Sequence, residues 1–141
     1  MHFTNSEGET VALGRTLGRR LRAGDVVLLE GQLGAGKTAF VRGLADGAGC
    51  DAEDVSSPTF TIVQEYHGRV TFQHVDLYRL TPHEVDDLGL EELMADAVVA
   101  VEWPDRWRHA PSSAIRISLT TVGETKRKVE ILEPAASHST R

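Results

Sequence analysis

The sequence predicts an α/β fold in one domain, with a mixed, mostly parallel sheet that is flanked by helices and carries β-hairpins. Two continuous apolar runs, residues 26–29 and 97–101, have the length and composition of buried parallel strands. Residues 40–48 carry apolar side chains at helical spacing, which places a helix after the first strand. Residues 31–38 join this strand to this helix and read G-x-x-x-x-G-K-T. The predicted fold is therefore that of a P-loop NTPase.

The loop at residues 31–38 has a composition that binds phosphate. Its glycines let successive backbone N–H groups point at phosphate oxygens, and the following helix presents the positive end of its dipole. The Lys37 ammonium is placed to reach the β- and γ-phosphates, and the Thr38 hydroxyl is placed to bind Mg²⁺. The predicted nucleotide-binding residues are Leu33, Gly34, Ala35, Gly36, Lys37 and Thr38.

Two acidic residues lie at the ends of predicted strands. Glu102 directly follows the apolar run 97–101, and Asp76 ends another predicted strand. Because ligands bind at the carboxyl ends of strands in open α/β sheets, we predict that Glu102 binds Mg²⁺ together with Thr38. The alternative is an ordinary acid at a strand end. Asp76 is predicted to bind a metal-bound water or to orient the attacking water, so the candidate catalytic residues are Lys37, Asp76 and Glu102.

Five further residues lie close in sequence to these candidates. Three of them have both a functional and a structural interpretation, and the other two are expected to be structural. Arg79 is either a cation beside the γ-phosphate or part of a structural salt bridge. Thr59 either contacts Mg²⁺ or phosphate, or belongs to a plain Ser/Pro loop. Trp103 lies near the nucleotide or in the core, and His74 and Tyr78 are expected to pack rather than to catalyse.

Composition limits the remaining possibilities. The chain has 141 residues, of which 40% are hydrophobic and 26% charged, and this predicts one soluble domain at 1–133 with a flexible tail at 134–141. No apolar stretch is long enough to span a bilayer, no secretory pattern opens the chain, and the single Cys50 excludes an internal disulfide. These features predict a cytoplasmic protein. The net charge of −6 argues against direct binding of nucleic acid by this chain. If the protein acts on RNA, we expect a partner protein to bind the RNA.

Local signals predict the flanking elements. Ser6 and Glu9 have capping-box spacing and open a helix that is predicted to end at Gly24. Two strands on either side of residues 67–68 are predicted to form a hairpin, and the chain closes with a second hairpin. The basic residues 126–128 in that second hairpin are interpreted as a solvated sheet edge.

Five segments taken together carry a family resemblance. They are Leu33-Gly34-Ala35-Gly36-Lys37-Thr38 with Arg42-Gly43, Ser57-Pro58-Thr59-Phe60-Thr61, His74-Val75-Asp76-Leu77-Tyr78-Arg79-Leu80, Gly89-Leu90-Glu91-Glu92 and Glu102-Trp103-Pro104. In this order, over residues 5–132, they resemble the bacterial TsaE (YjeE) family. That family is the ATPase component of the machinery that makes threonylcarbamoyladenosine in tRNA.

The resemblance implies a small P-loop α/β fold with ATP at residues 33–38, Mg²⁺ held by Thr38 and Glu102, and Asp76 as a second essential acid. It implies that the transferase TsaD and its paralogue TsaB are the partners. ATP hydrolysis would then support modification of the adenosine next to the anticodon, with tRNA reached through the complex. By analogy, the adenine lies near the helix start at 7–10 and the turn at 123–124.

Two other functions stay open beside this one. One is a small-molecule kinase, although the chain has no Arg-rich lid segment and little length for an acceptor pocket. The other is a nucleotide-gated scaffold with negligible turnover. A GTPase is not expected, because the only asparagine is Asn5 and no Asn-Lys-x-Asp guanine reader is present.

Overall fold

The computed structural model describes residues 1–32, 34–51 and 62–134. The helices are α1 (Glu7–Gly18), α2 (Lys37–Gly47), α3 (Pro82–Asp86) and α4 (Leu90–Leu93), with a 3₁₀ turn at Pro104–Arg106. The strands are β1 (His2–Thr4), β2 (Val26–Glu30), β3 (Val63–Tyr66), β4 (Phe72–Asp76), β5 (Val98–Glu102), β6 (Ile115–Thr121) and β7 (Arg127–Leu132). The predictions for Leu33, Thr59 and the tail lie wholly or mostly outside these residues.

The seven strands form one mixed sheet in the order β1-β7-β6-β2-β5-β4-β3. Strands β6, β2, β5 and β4 are mutually parallel neighbours, whereas β3–β4, β6–β7 and β1–β7 are antiparallel pairs. Five of the seven strands therefore point the same way. This confirms the predicted α/β class, the two buried parallel strands β2 and β5, and both hairpins. It also brings the carboxyl ends of β2, β4 and β5 to one edge of the sheet.

Two apolar clusters cover the two faces of the sheet. One joins α1 and α2 to the side chains of one face, among them Leu29, Phe72 and Ala100. The other joins α3 and α4 to the opposite face, where Val75 and Val101 lie. Because side chains alternate along a strand, β4 and β5 direct alternate residues to the α1/α2 face. Asp76 and Glu102 fall in phase with the residues of that face.

Helices α1 and α2 approach each other through glycines. A Cβ atom added at Gly43 would lie 2.1 Å from the carbonyl oxygen of Val11, and one added at Gly14 would lie 2.4 Å from that of Phe40. No larger residue fits at these positions without a shift of the backbone. The contact keeps the start of α1 beside the start of α2, which carries Lys37 and Thr38.

Three predictions about these elements need correction. The first helix ends at Gly18 rather than at Gly24, and turns follow at residues 19–20 and 23–24. The basic residues 126–128 do not form a sheet edge, because the unpredicted strand β1 pairs with β7. That strand has only three residues, two of them exposed, so it carries no alternating apolar pattern. None of the described helices has the length and apolarity that crossing a membrane requires.

Candidate functional site

The loop between β2 and α2 adopts a conformation that requires its glycines. Gly34 has φ +82° and Gly36 has φ +101°, both in the left-handed region that other residues rarely adopt. Gly36 is the N-cap of α2 and, having no side chain, it makes no capping hydrogen bond to the first turn of this helix. The backbone N–H groups of that turn are therefore open to an anion, and the helix dipole favours one.

Lys37 folds back across this loop. Its side chain is buried, its Nζ donates a 2.6 Å hydrogen bond to the carbonyl oxygen of Gly31, and Nζ lies 4.4 Å from the centroid of the Trp103 ring. Burial lowers the pKa of Lys37, while the nearby carboxylates of Glu102 and Asp76 act in the opposite direction. The three predicted catalytic residues therefore lie within electrostatic reach of one another.

The two acids occupy paired positions on neighbouring strands. Asp76 of β4 is in register with Glu102 of β5, and Glu102 is in turn in register with Leu29 of β2. Both carboxylates therefore lie at the edge of the sheet where the loop leaves β2. Glu102 is only 5% exposed. A carboxylate buried to this extent needs a compensating donor or cation, which an ordinary acid at a strand end does not.

Asp76 is less buried than Glu102 and has a fixed orientation. Its Oδ1 accepts a 2.9 Å hydrogen bond from the backbone N–H of Tyr78. Burial raises the pKa of Asp76, and the neighbouring Glu102 carboxylate adds to this, whereas the Tyr78 hydrogen bond, His74 and Lys37 oppose it. A perturbed carboxyl beside a phosphate-binding loop fits a functional role.

The donor set at this edge fits Mg²⁺. Mg²⁺ takes oxygen ligands and in nucleotide sites commonly uses one or two carboxylates together with phosphates and waters. Thr38, in the first turn of α2, offers a hydroxyl, and Glu102 and Asp76 offer carboxylates. Among the described residues, no group of three or more His, Cys, Asp and Glu side chains could hold a metal ion by itself.

Glu102 has a buried neighbour that the sequence predicted only to pack. His74 is fully buried in β4, and its Nε2 lies 2.7 Å from Oε2 of Glu102. The two residues are 28 positions apart in the chain, so only the parallel pairing of β4 and β5 brings them together. No local sequence signal could have indicated this contact.

Comparison with known proteins agrees with this geometry. A family model described as "Threonylcarbamoyl adenosine biosynthesis protein TsaE" matches residues 4–129, most of the chain. This chain belongs to the TsaE family. The family assignment confirms the resemblance carried by the five sequence segments.

Several members of the TsaE family are similar over nearly their full lengths. The chain is 44% identical to a Nostoc tRNA threonylcarbamoyladenosine biosynthesis protein TsaE over 92% of its own length and 83% of the relative's. It is 40% identical to the Treponema pallidum protein of the same name, over 91% and 96% of the two chains. Among solved structures, the crystal structure of Bacillus subtilis YdiB matches with a TM-score of 0.79 at 30% identity, over 96% of this chain and 86% of that one.

Trp103 closes one side of the site in this TsaE-family chain. It is the one non-glycine residue with positive φ (62°) among those described, a conformation that costs about 1–2 kcal/mol in a non-glycine residue. Its ring lies 4.9 Å from that of Tyr78, between centroids, and 5.6 Å from the guanidinium carbon of Arg106. Trp103 therefore lies beside Lys37 as well as against the core, and its nearness to a bound nucleotide stays a prediction.

Arg127 connects the loop to the second hairpin. Its guanidinium donates hydrogen bonds to the carbonyl oxygens of Gly34 at 3.3 Å and of Gly123 at 3.3 Å. A Cβ atom at Gly36 would lie 3.8 Å from the Thr10 methyl group and 4.0 Å from Cγ of Arg127. The start of α1 and the 123–124 turn thus border the loop, although their role in binding adenine stays a prediction.

Two predicted residues are not brought to the site by the described structure. Arg79 is exposed and forms no hydrogen bond or ion pair within residues 1–32, 34–51 and 62–134, so the salt-bridge alternative has no partner there. Its role as a cation at the γ-phosphate stays a prediction. Leu33 and Thr59 lie outside the described residues.

Proposed function

We propose that this protein binds ATP and Mg²⁺ at residues 33–38, Asp76 and Glu102 and hydrolyses the ATP during threonylcarbamoyladenosine formation in tRNA. It does so together with the TsaD–TsaB pair, which carries the tRNA. The observation that supports this best is the convergence of Lys37, Asp76 and Glu102 at the N-terminus of α2. A loop that only binds an anion has no use for a pair of acids beside it. Hydrolysis of a metal-bound triphosphate uses two acids, one to bind the metal ion and one to orient the attacking water.

Each residue has a distinct task in this reaction. The loop amides and Lys37 bind the phosphates, and the lysine ammonium offsets the charge that develops on the transferring group. Thr38 and Glu102 are the residues that would hold Mg²⁺, which when bound neutralises charge on the β- and γ-phosphate oxygens. Asp76 accepts a hydrogen bond from the attacking water and orients it.

The position of Lys37 in this structure indicates a cost of nucleotide binding. The ammonium must leave the carbonyl oxygen of Gly31 and turn toward phosphate, which exchanges one neutral acceptor for a charged one. The ammonium also lies 4.4 Å from the centroid of the Trp103 ring, a cation–π contact that this movement would alter. Replacing the neutral carbonyl oxygen by a phosphate oxygen favours the charged form of Lys37 in the nucleotide-bound protein, although the side chain is buried.

The test is ATP hydrolysis by the wild type and by Glu102→Gln, alone and with purified TsaB–TsaD and tRNA. We expect slow turnover alone and strong stimulation by the complex. Glu102→Gln should reduce stimulated turnover by about 100-fold, since a metal ligand at the phosphates supplies several kcal/mol. Arg116→Gln, an exposed change on β6, is the control and should match the wild type.

The alternatives give different results in the same experiment. A scaffold would bind ATP and remain without turnover when the partners and tRNA are added. A kinase would consume ATP only with a hydroxylated metabolite and would place the phosphate on that metabolite rather than release it. Either result would contradict the proposal.

A further inference from the structure

His74 lies where its side chain can reach the Glu102 carboxylate across the sheet. It faces Ala100 of β5 in the parallel register, while Glu102 is two residues further along the same strand and therefore on the same face. Ala100 has a small side chain, and Nε2 of His74 lies 2.7 Å from Oε2 of Glu102.

The hydrogen bond fixes which imidazole nitrogen carries a proton. A carboxylate can only accept, so Nε2 of His74 must donate to it. Nδ1 is buried and has no hydrogen-bond partner among the described residues, so a second proton there would be left without an acceptor. The geometry therefore directs the Nε2–H of His74 at the Glu102 carboxylate.

This contact uses one carboxylate oxygen of Glu102 and leaves the other oxygen without a hydrogen bond to His74. Within the described part of the chain, His74 is the only residue that forms a hydrogen bond to the side-chain carboxylate of Glu102. Oε2 is occupied by the imidazole, so Oε1 is the oxygen open to a cation. Nδ1 of this buried histidine has no partner within residues 1–32, 34–51 and 62–134, and an apolar residue of similar size would avoid the cost of desolvating that nitrogen.

We propose that His74 is a positioning residue that holds the Glu102 carboxylate in the orientation that binds Mg²⁺. The hydrogen bond restricts the rotation of the carboxylate and keeps one oxygen directed to the nucleotide. Outer partners of this kind orient metal ligands, and their loss typically lowers metal affinity about 10- to 100-fold. The inference rests on the proposed function, because it assumes that Glu102 is a Mg²⁺ ligand.

The test measures the affinity for Mg²⁺ in the presence of a non-hydrolysable ATP analogue, and the affinity for the analogue with EDTA in place of Mg²⁺. For His74→Leu we expect Mg²⁺ affinity to fall about 10- to 100-fold. The affinity for the analogue in EDTA should stay within about twofold of the wild type, since no phosphate contact changes. A purely structural role would weaken both or neither.

A matched pair of amides keeps the test decisive if the leucine variant does not fold. The glutamine amide nitrogen ends about where Nε2 of histidine does, so His74→Gln should restore most of the Mg²⁺ affinity. Asparagine is one methylene shorter, so His74→Asn should not. Gln73→Leu removes another buried side chain of β4, one that bonds Glu65 rather than Glu102, and should leave Mg²⁺ affinity unchanged.

The outcomes separate this inference from the proposed function. If the wild type binds the analogue equally well with and without Mg²⁺, the proposed function fails and this inference with it. If the wild type needs Mg²⁺ but His74→Asn or a folded His74→Leu binds it as tightly, the inference alone is overturned. Equal losses in His74→Gln and His74→Asn would also overturn it.

Discussion

Asp76, which we propose orients the attacking water, carries a cost to folding. Burial raises its pKa, so the folded protein holds the proton more tightly than the unfolded chain does. Stability is therefore lost as the pH rises from the ordinary value of 3.8 through the raised folded pKa. Above that window the ionised carboxylate opposes folding, a penalty commonly found where side chains are arranged for chemistry.

We predict that Asp76→Asn retains ATP binding, loses turnover and stabilises the nucleotide-free protein at neutral pH. Turnover should fall about 10²- to 10⁴-fold, as for loss of a general base. The stability advantage of the variant should grow as the pH rises through the window and be smallest at acid pH. Urea unfolding at a series of pH values checks this, with the exposed Asp96→Asn as the control. A constant difference across pH would show that the carboxyl is not responsible.

At the level of secondary structure, the packing of α1 against α2 sets how closely the start of α1 approaches the candidate phosphate-binding loop. The α1–α2 contact depends on Gly43, where a Cβ atom would lie 2.1 Å from the carbonyl oxygen of Val11 and 2.8 Å from the amide nitrogen of Arg15. We predict that Gly43→Ala destabilises the protein by about 1–3 kcal/mol, because overpacking exceeds the gain of about 1 kcal/mol in helix propensity. Chemical denaturation measures this.

Gly8 of α1 is the matched control for Gly43. A Cβ atom there would meet only the Ser6 hydroxyl, at 3.8 Å. Gly8→Ala should therefore be neutral or stabilise the protein by up to about 1 kcal/mol. Equal effects of the two substitutions would show that the helix contact tolerates a side chain at Gly43 and that close packing does not explain its presence.

The carboxyl ends of both helices are tied to one side chain. The Arg69 guanidinium donates to the carbonyl oxygens of Leu21 and Gly18 at 3.1 Å each and of Gly47 at 3.2 Å. These groups include orphan carbonyls of α1 and α2, and a cation there also favours the helix dipoles. We predict that Arg69→Met costs about 1–2 kcal/mol in thermal or urea unfolding. Arg116→Met on β6 should cost nothing measurable.

Across the whole molecule, the sequence predicted the features that depend on residues close together in the chain. The two buried strands β2 and β5, helix α2 and both hairpins follow from apolar runs and turn residues, and the structure confirms them. The positions of Asp76 and Glu102 were predicted from the rule that ligands of open α/β sheets bind at the carboxyl ends of the strands. Pairing between distant segments could not be predicted, which is why β1 on β7 and His74 against Glu102 were missed.

Ligand binding should be visible in the stability of the whole molecule, and Lys37 should control it. A nucleotide that binds only the folded state adds about 2.7 kcal/mol at a concentration 100 times its Kd, which raises Tm by several degrees. Lys37→Met keeps the alkyl chain but removes the ammonium. We predict that the nucleotide-dependent shift disappears in this variant, because the contact with the β- and γ-phosphates is lost.

The nucleotide-free variant should be at least as stable as the wild type. Burial lowers the pKa of Lys37, so the folded state disfavours the charged lysine and an apolar side chain removes that cost. Lys128→Met, a lysine of β7 to which we assign no part in phosphate binding, is the control and should keep the full nucleotide shift. Scanning calorimetry with and without MgATP measures both quantities. A preserved shift in Lys37→Met would remove the lysine from the phosphate site, and with it the basis for placing ATP at residues 33–38.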